Sequence, residues 1–152
     1  MTSPIIVALD LEHDLALGLA KSLDPNNCRL KVGSQLFTSA GPGVIEELST
    51  LGFDIFLDLK FHDIPSTVAQ SVKAASNLGV WMLNIHTSGG SAMMKAAKEA
   101  TTGLEEPPLI IGVTMLTSLN EKDVNEVGIK DISNQVLSLA SLAKKNSLDG
   151  IV

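Results

Sequence analysis

The sequence predicts an α/β fold, a (β/α)8 TIM barrel, of which residues 1–152 form a partial barrel that ends in about the sixth strand. Apolar runs rich in β-branched residues recur about 25 residues apart, and helix-like segments lie between them. Polar residues stand at the ends of the apolar runs. Regular alternation of strands and helices is typical of βα units around a parallel sheet. We expect a single domain over residues 1–152.

The predicted strands are short and almost continuously apolar, as expected for parallel strands that are covered on both faces. They begin near Ile5, Arg29, Asp54, Trp81 and Leu109, and a sixth opens at Asp149. The predicted helices place small and apolar side chains at helical spacing. They span residues 14–23, 43–51, 65–78, 90–100 and 132–145.

An open doubly wound sheet is the alternative arrangement for a chain of βα units. The first βα turn, residues 10–14, lacks the glycines of a dinucleotide-binding fold. The strands end instead in polar residues, which are Asp10, Lys31, Asp58 with Lys60, Asn84 with His86, and Thr114 with Thr117. Because barrel active sites are built from the carboxyl ends of successive strands, this pattern favours the barrel.

The length of the sequence limits how much of the barrel it can form. Eight βα units usually need about 250 residues. The 152 residues present here end inside the predicted sixth strand. We therefore expect a barrel without its last strands.

Composition argues against several classes of protein. No apolar run reaches the length of about 18 residues that a membrane span needs, and residues 1–4 lack the basic flank of a signal peptide. The single cysteine, Cys28, excludes an internal disulfide. A net charge of −6 without a Lys/Arg cluster argues against a nucleic-acid surface. We expect a cytoplasmic protein that binds neither membranes nor nucleic acids.

Four residues of alternating charge, Asp10, Lys31, Asp58 and Lys60, are expected to meet at one mouth of the barrel. Side chains alternate along a strand, so Asp58 and Lys60 share a face with Cα atoms about 6.5–7 Å apart. Carboxylates in such an array keep the lysines protonated, and an ammonium can protonate a carbanion left by departing CO₂. The alternative is a salt-bridge network that closes the barrel mouth, although burying ion pairs is a poor route to stability.

The segment 58–67, DLKFHDIPST, resembles the signature of the orotidine 5′-phosphate decarboxylase family, which makes UMP in pyrimidine biosynthesis. Segments 7–10 (VALD), 30–33 (LKVG) and 113–118 (VTMLTS) fit the bacterial form of this family in order and spacing. The resemblance extends along essentially the whole chain. It implies a TIM barrel that decarboxylates orotidine 5′-phosphate without a metal or an organic cofactor.

The resemblance also implies roles for the charged residues. Lys60 would donate a proton to C6 of the pyrimidine, and Asp58 would face the departing carboxylate. Lys31 would link Asp58 to the ribose hydroxyls, and Asp10 would bind the ribose.

Other implied roles concern the neighbouring subunit and the rest of the substrate. Asp63, Ile64 and Thr67 would reach into the neighbouring subunit's site, which makes the enzyme a homodimer with shared active sites. Thr117 would lie near the pyrimidine or its covering loop. The family grips the 5′-phosphate with a Gln and a Gly-Arg pair in segments that we expect this sequence to lack. Residues 1–152 alone should therefore be inactive or severely impaired.

Two other functions compete with this interpretation. A sugar-phosphate decarboxylase or aldolase of the same superfamily would bind magnesium through a carboxylate of the second strand, where this sequence has Lys31, whose ammonium repels a cation. A metal site on His62 and Asp63 is disfavoured because the nearby lysines occupy the positions of further ligands. A non-catalytic partial barrel would pair with another chain through exposed edges at strands one and six.

Overall fold

The computed structural model describes residues 4–152 and contains a six-stranded parallel sheet. The strands follow one another in chain order, and every neighbouring pair is parallel. They are β1 (Ile6–Ala8), β2 (Arg29–Gly33), β3 (Ile55–Phe61), β4 (Met82–His86), β5 (Leu109–Val113) and β6 (Gly150–Ile151). A doubly wound sheet reverses its strand order at a switch point, and this sheet does not. The sheet is six strands of a barrel wall, as predicted.

Helices occupy the segments between the strands. They are α1 (His13–Ser22), α2 (Ser34–Ala40), α3 (Gly43–Thr50), α4 (Pro65–Asn77), α5 (Gly90–Glu99), α6 (Glu121–Glu126) and α7 (Ile132–Lys145), with a 3₁₀ turn at Thr87–Gly89. The five predicted helices are confirmed, with ends that differ by a residue at most. Pro65 at the first turn of α4 explains why that helix begins where it does, since a proline lacks the N–H that would be unpaired there.

Two helices, α2 and α6, were not predicted. Helix α2 has 7 residues and follows β2 directly, with Gly33 as its N-cap, so the strand and helix patterns run together in the sequence. Helix α6 has a capping box in which Asn120 and Asp123 bond to each other's backbone. That box was a readable signal for a helix start. Neither helix changes the order of the strands.

Buried side chains form two clusters on opposite faces of the sheet. The larger one lies between the sheet and the helices and includes Leu57 and Leu83. The smaller one contains Phe56, Met82 and Ile111. Because successive residues of a strand point to opposite faces, the smaller cluster faces the barrel interior. It forms an apolar layer on the same face as the polar side chains further along β3 and β4.

No helix among residues 4–152 has the length and apolarity that crossing a membrane requires.

Candidate active site

A chain of alternating charges joins the carboxyl ends of the first three strands. Lys31 Nζ lies 3.2 Å from Asp10 Oδ1 and 3.2 Å from Asp58 Oδ2. Lys60 Nζ lies 2.7 Å from Asp58 Oδ1. The structure therefore brings together the four residues that the strand-end pattern singled out. We call Asp10, Lys31, Asp58 and Lys60 the charge network.

Asp58 is the buried centre of the charge network, with 8 % of its surface exposed. Its Oδ1 accepts hydrogen bonds from Lys60 Nζ at 2.7 Å and from Asn84 Nδ2 at 2.6 Å. Burial alone raises the pKa of this carboxyl. The hydrogen bonds from Lys60, Asn84 and Lys31 outweigh burial and hold the pKa of Asp58 below its usual value. Asp58 is therefore ionised at neutral pH.

The strand that carries Asp58 and Lys60 is irregular at this point. Leu57 pairs with Leu83 and Phe61 pairs with Ile85, so the three residues 58–60 of β3 face the single residue between those partners on β4. Lys60 has φ = 53°, in the left-handed region. For a residue other than glycine this conformation costs about 1–2 kcal/mol. The expectation of a regular strand is wrong here: the two side chains meet through a bulge.

Asn84 is a member of the site to which the sequence assigned no role. It is the β4 residue opposite the bulge and is 1 % exposed. Its Oδ1 accepts from the backbone N–H of Lys60 at 2.7 Å, and its Nδ2 donates to Asp58. A polar residue inside the apolar run 82–85 was the available signal, because buried amides need specific partners.

A family model described as "Orotidine 5'-phosphate decarboxylase / HUMPS family" matches residues 3–152. The chain belongs to this family. Membership agrees with the resemblance that the motifs in β1, β2, β3 and β5 carry.

Curated members of the family are similar along the whole chain. Orotidine 5′-phosphate decarboxylase of Teredinibacter turnerae is 53% identical over 156 residues, which cover 100% of this chain and 67% of that protein. The protein of the same name from Chromobacterium violaceum is 54% identical over 153 residues, covering 99% of this chain and 62% of the relative. The chain thus spans about two thirds of the length of the curated relatives it matches.

Solved structures of family members share the fold. The crystal structure of orotidine 5′-phosphate decarboxylase from Lactobacillus acidophilus matches with a TM-score of 0.90 and 41% identity, over 98% of this chain and 70% of that one. The enzyme from Methanocaldococcus jannaschii, solved with the inhibitor BMP, matches with a TM-score of 0.82 and 25% identity, over 99% and 67% of the two chains. The predicted barrel architecture is thereby confirmed.

The remaining candidate residues of the decarboxylase resemblance lie outside the charge network. The Asp63 carboxylate accepts a hydrogen bond from the backbone N–H of Ile64 at 2.6 Å. Ile64 is 64% exposed, and Asp63, Thr67 and Thr117 are exposed as well. The structure therefore places these four residues on the surface.

Two histidines lie beside the network. The rings of His62 and His86 have centroids 5.2 Å apart and planes tilted by 30°. Burial, the neighbouring His62 and the charge of Lys60 lower the pKa of His86. His86 is therefore neutral at neutral pH.

Carboxylates and histidines do not cluster as a metal site would require. Among residues 4–152, no group of three or more His, Cys, Asp or Glu side chains could hold a metal ion. The network alternates instead, with Lys31 between its two carboxylates. A zinc site usually has at least three protein ligands at one point. The donor set of this site does not fit a zinc ion, and the Lys31 ammonium between the two carboxylates repels a divalent cation.

Gly33 keeps the space above the network open. A Cβ built at this position would lie 3.3 Å from Asp10 Oδ1 and 3.6 Å from Lys31 Nζ. Its backbone is extended, with φ = −91°, so any residue could adopt it. A larger side chain at this position would crowd these two groups rather than strain the backbone.

The charge network can stabilise a negative charge that appears next to Lys60. An ionised Asp58 disfavours a second carboxylate placed against it, and an ammonium beside it favours a carbanion and can protonate it. Lys31 pairs with Asp10, which extends the alternation of charges to the exposed edge of the site. Such an arrangement suits loss of CO₂ from an anionic substrate.

Proposed function

We propose that the charge network catalyses the decarboxylation of orotidine 5′-phosphate to UMP in pyrimidine biosynthesis. The observation that carries this proposal is the 2.7 Å contact between Lys60 Nζ and the buried, ionised Asp58, in a chain of this family. Asp58 would stand against the substrate carboxylate and Lys60 beside C6. Lys31 and Asp10, which continue the network to the open edge, would hold the ribose hydroxyls.

The proposed reaction needs one proton and no external electron acceptor. The bond between C6 and the carboxylate carbon breaks, CO₂ leaves, and the electron pair stays at C6. Lys60 Nζ then gives its proton to C6, which leaves a neutral amine that is reprotonated from water before the next turnover. The Lys60 charge stabilises the carbanion, and Asp58 disfavours the bound carboxylate relative to that state. No metal ion or organic cofactor takes part in this proposal.

We further propose a cytoplasmic homodimer with shared sites. The loop that follows β3 carries Asp63 and Ile64, and the first turn of α4 carries Thr67; all three are on the surface of this chain. Ile64 is 64% exposed, so its side chain is accessible to a second copy. In this arrangement the three side chains complete the site of the neighbouring subunit, and Thr117 lies near the pyrimidine or its covering loop.

The magnesium-dependent sugar-phosphate chemistry found in related barrels is not favoured. The second strand would have to provide a carboxylate ligand, and it provides the Lys31 ammonium, which repels a divalent cation. The curated relatives described above are named orotidine 5′-phosphate decarboxylase.

The experiment uses a chain of the relatives' full length. Residues 1–152 are followed by the remaining C-terminal part of the Chromobacterium violaceum relative; we call this the hybrid. The hybrid should consume orotidine 5′-phosphate and release CO₂ without added metal. Lys60→Ala should lower kcat at least about a thousandfold, a loss within the usual range for a removed proton donor.

The matched control is Lys95→Ala, which removes an exposed lysine from α5 and should leave kcat unchanged. The proposal fails if Lys60→Ala keeps most of the activity. It also fails if a folded hybrid is inactive while the parent relative is active. Residues 1–152 alone, assayed in parallel, should be inactive or severely impaired. Activity equal to that of the hybrid would refute the expectation that phosphate-binding residues of the C-terminal part are required.

A further inference from the structure

The Asn84 side chain reaches both halves of the proposed catalytic pair, Lys60 and Asp58. The bulge places residues 58–60 opposite it, and its side chain spans the gap that the missing backbone pairing leaves. One end accepts the Lys60 N–H at 2.7 Å, and the other donates to Asp58 Oδ1 at 2.6 Å. Asn84 thus ties the backbone of one residue to the side chain of the other.

We propose that Asn84 is a positioning residue, which holds Lys60 in its left-handed conformation and thereby sets the Lys60 ammonium at one fixed place beside Asp58. This inference rests on the proposed function, in which Lys60 is the proton donor. Asn84 touches no substrate atom in this proposal. It acts through Lys60 and Asp58.

The chemistry of the amide explains why asparagine suits this position. The Lys60 N–H needs an acceptor and the ionised Asp58 needs a donor, which also assigns the amide orientation. An aspartate would supply the acceptor but would set a second negative charge against Asp58. A leucine of similar size would supply neither, and both polar groups would be left buried without a partner.

Burial makes the role of Asn84 hard for water to fill. Asn84 is 1 % exposed and Asp58 is 8 % exposed. Two residues earlier on the same face of β4 lies Met82, a member of the apolar layer beneath the network. The floor of the site is therefore shielded from solvent, while Asp10 at its edge is exposed. Without the Asn84 amide, β3 would have to shift to satisfy the Lys60 N–H and Asp58, and the Lys60 ammonium would move with it.

A lysine needs such an anchor because its side chain has four rotatable bonds. Removing freedom from the backbone and from the ammonium leaves fewer conformers in which the proton points away from the reacting carbon. Among residues 4–152, the other non-glycine residue with positive φ is Ser147, which directly follows the C-cap of α7. Left-handed residues are common there. Lys60 has no such ordinary reason for its conformation.

The test compares Asn84→Ala and Asn84→Leu with the unmodified hybrid. Each should lower kcat tenfold to a hundredfold and change KM less than threefold, because substrate contacts stay in place. Asn77→Leu, at the exposed end of α4, is the matched control and should leave both constants unchanged. A purely structural role would lower the amount of folded protein without this split between kcat and KM.

Asn84→Asp gives a second readout, the pH profile of kcat, which a purely structural role would leave unchanged. Two adjacent carboxylates cannot both ionise freely, so the acid limb of the pH profile of kcat should shift to higher pH. Asn84→Ser keeps a hydroxyl that can accept from Lys60 and should recover part of the activity lost in Asn84→Ala. An unchanged pH profile, or kcat within twofold of the unmodified hybrid in Asn84→Ala, would overturn the inference.

Hydrogen exchange separates failure of this inference from failure of the proposed function. In Asn84→Ala the Lys60 amide should exchange at least tenfold faster than in the unmodified hybrid, whether or not either protein decarboxylates the substrate. If the unmodified hybrid folds but is inactive, the proposed function fails, and the exchange rate still decides whether Asn84 anchors Lys60. An unchanged exchange rate overturns the anchor even in an active hybrid.

Discussion

Lys60 donates to Asp58 from a backbone conformation that lysine rarely adopts. The ammonium lies 2.7 Å from Asp58 Oδ1, while φ at Lys60 is 53°. Residues held in such regions persist where surrounding contacts fix them, and they concentrate at functional sites. Here the contacts are the three donors on Asp58 and the amide that accepts from the Lys60 N–H. Lys60 therefore bears the unfavourable backbone conformation and is also the residue proposed to donate the proton.

Asp58→Asn should destabilise the hybrid by about 1.5–3 kcal/mol at neutral pH, the usual range for hydrogen bonds to a charged group. The pKa of Asp58 is lowered in the folded state, so its contribution is complete above its unfolded value of about 3.9. That contribution is lost as the pH falls through the lower folded value. The stability difference between Asp58→Asn and the parent should therefore shrink below about pH 4. Urea unfolding at a series of pH values measures it.

The control for Asp58→Asn is Glu105→Gln, which removes an exposed carboxylate. It should leave the free energy of unfolding within about 0.5 kcal/mol of the parent at neutral pH. A difference between parent and Asp58→Asn that stays constant from pH 7 to pH 3 would contradict the depressed pKa.

His86 should make the protein less stable as the pH falls below about 6.5, its usual unfolded pKa. Its pKa is lower in the folded state, so between the two values the unfolded chain binds the proton more readily. Stability is then lost progressively as the pH falls from the unfolded value toward the folded one. His86→Phe should flatten this part of the curve. Thermal unfolding between pH 7.5 and 5 gives the slope.

The neighbouring ring offers a test of the cause. His62→Gln removes the second imidazole, 5.2 Å away, that helps to lower the pKa of His86. The His86 ring should then titrate closer to its usual value, as followed by the NMR shift of its Cε1 proton. A titration unchanged by His62→Gln would assign the whole effect to burial and Lys60.

The arrangement of strands and the identity of the charge network were predictable because both follow from periodicity. Parallel strands repeat at a fixed interval, and their carboxyl ends meet, so Asp10, Lys31, Asp58 and Lys60 could be grouped without coordinates. The bulge was not predictable in this way. It is a property of the register between β3 and β4, and nothing within either strand specifies its neighbour's register.

The role of Asn84 was missed for the same physical reason. Its position within the run 82–86 showed a polar strand end, but its two partners lie 24 and 26 residues earlier in the chain. Only the paired strands bring them together. Asp63 is the opposite case. The resemblance assigns it a role in the neighbouring subunit's site, and this role needs a second subunit that a single chain does not provide.

Gly33→Ala should raise KM by about threefold to thirtyfold in the hybrid. This change corresponds to a loss of about 0.7–2 kcal/mol of binding free energy. The added Cβ would lie 3.3 Å from Asp10 Oδ1 and crowd the space where the ribose is proposed to bind. Asp10 is largely exposed and can turn away, so the melting temperature should change little. Steady-state kinetics and thermal unfolding check the two effects.

Gly18→Ala is the matched control for this substitution. Gly18 lies in α1, where a Cβ added to it would have nothing within 4 Å. Alanine in a helix interior is favoured over glycine by about 0.5–1 kcal/mol. The control should therefore raise stability and leave KM unchanged. If both variants raise KM equally, crowding at Gly33 is not the cause.

Asp63→Ala and Lys60→Ala should each inactivate the hybrid, and mixing the two variants should restore activity. In a dimer with shared sites, one mixed site combines the intact Lys60 of one chain with the intact Asp63 of the other. The second mixed site lacks both. Random exchange of subunits makes half of the dimers mixed, so activity should return to about a quarter of the unmodified level. The recovery should require conditions that allow subunits to exchange, and it should rise with the same time course as mixed dimers detected by native mass spectrometry. Mixed dimers that form without any recovery would show that Asp63 serves its own chain or no site at all.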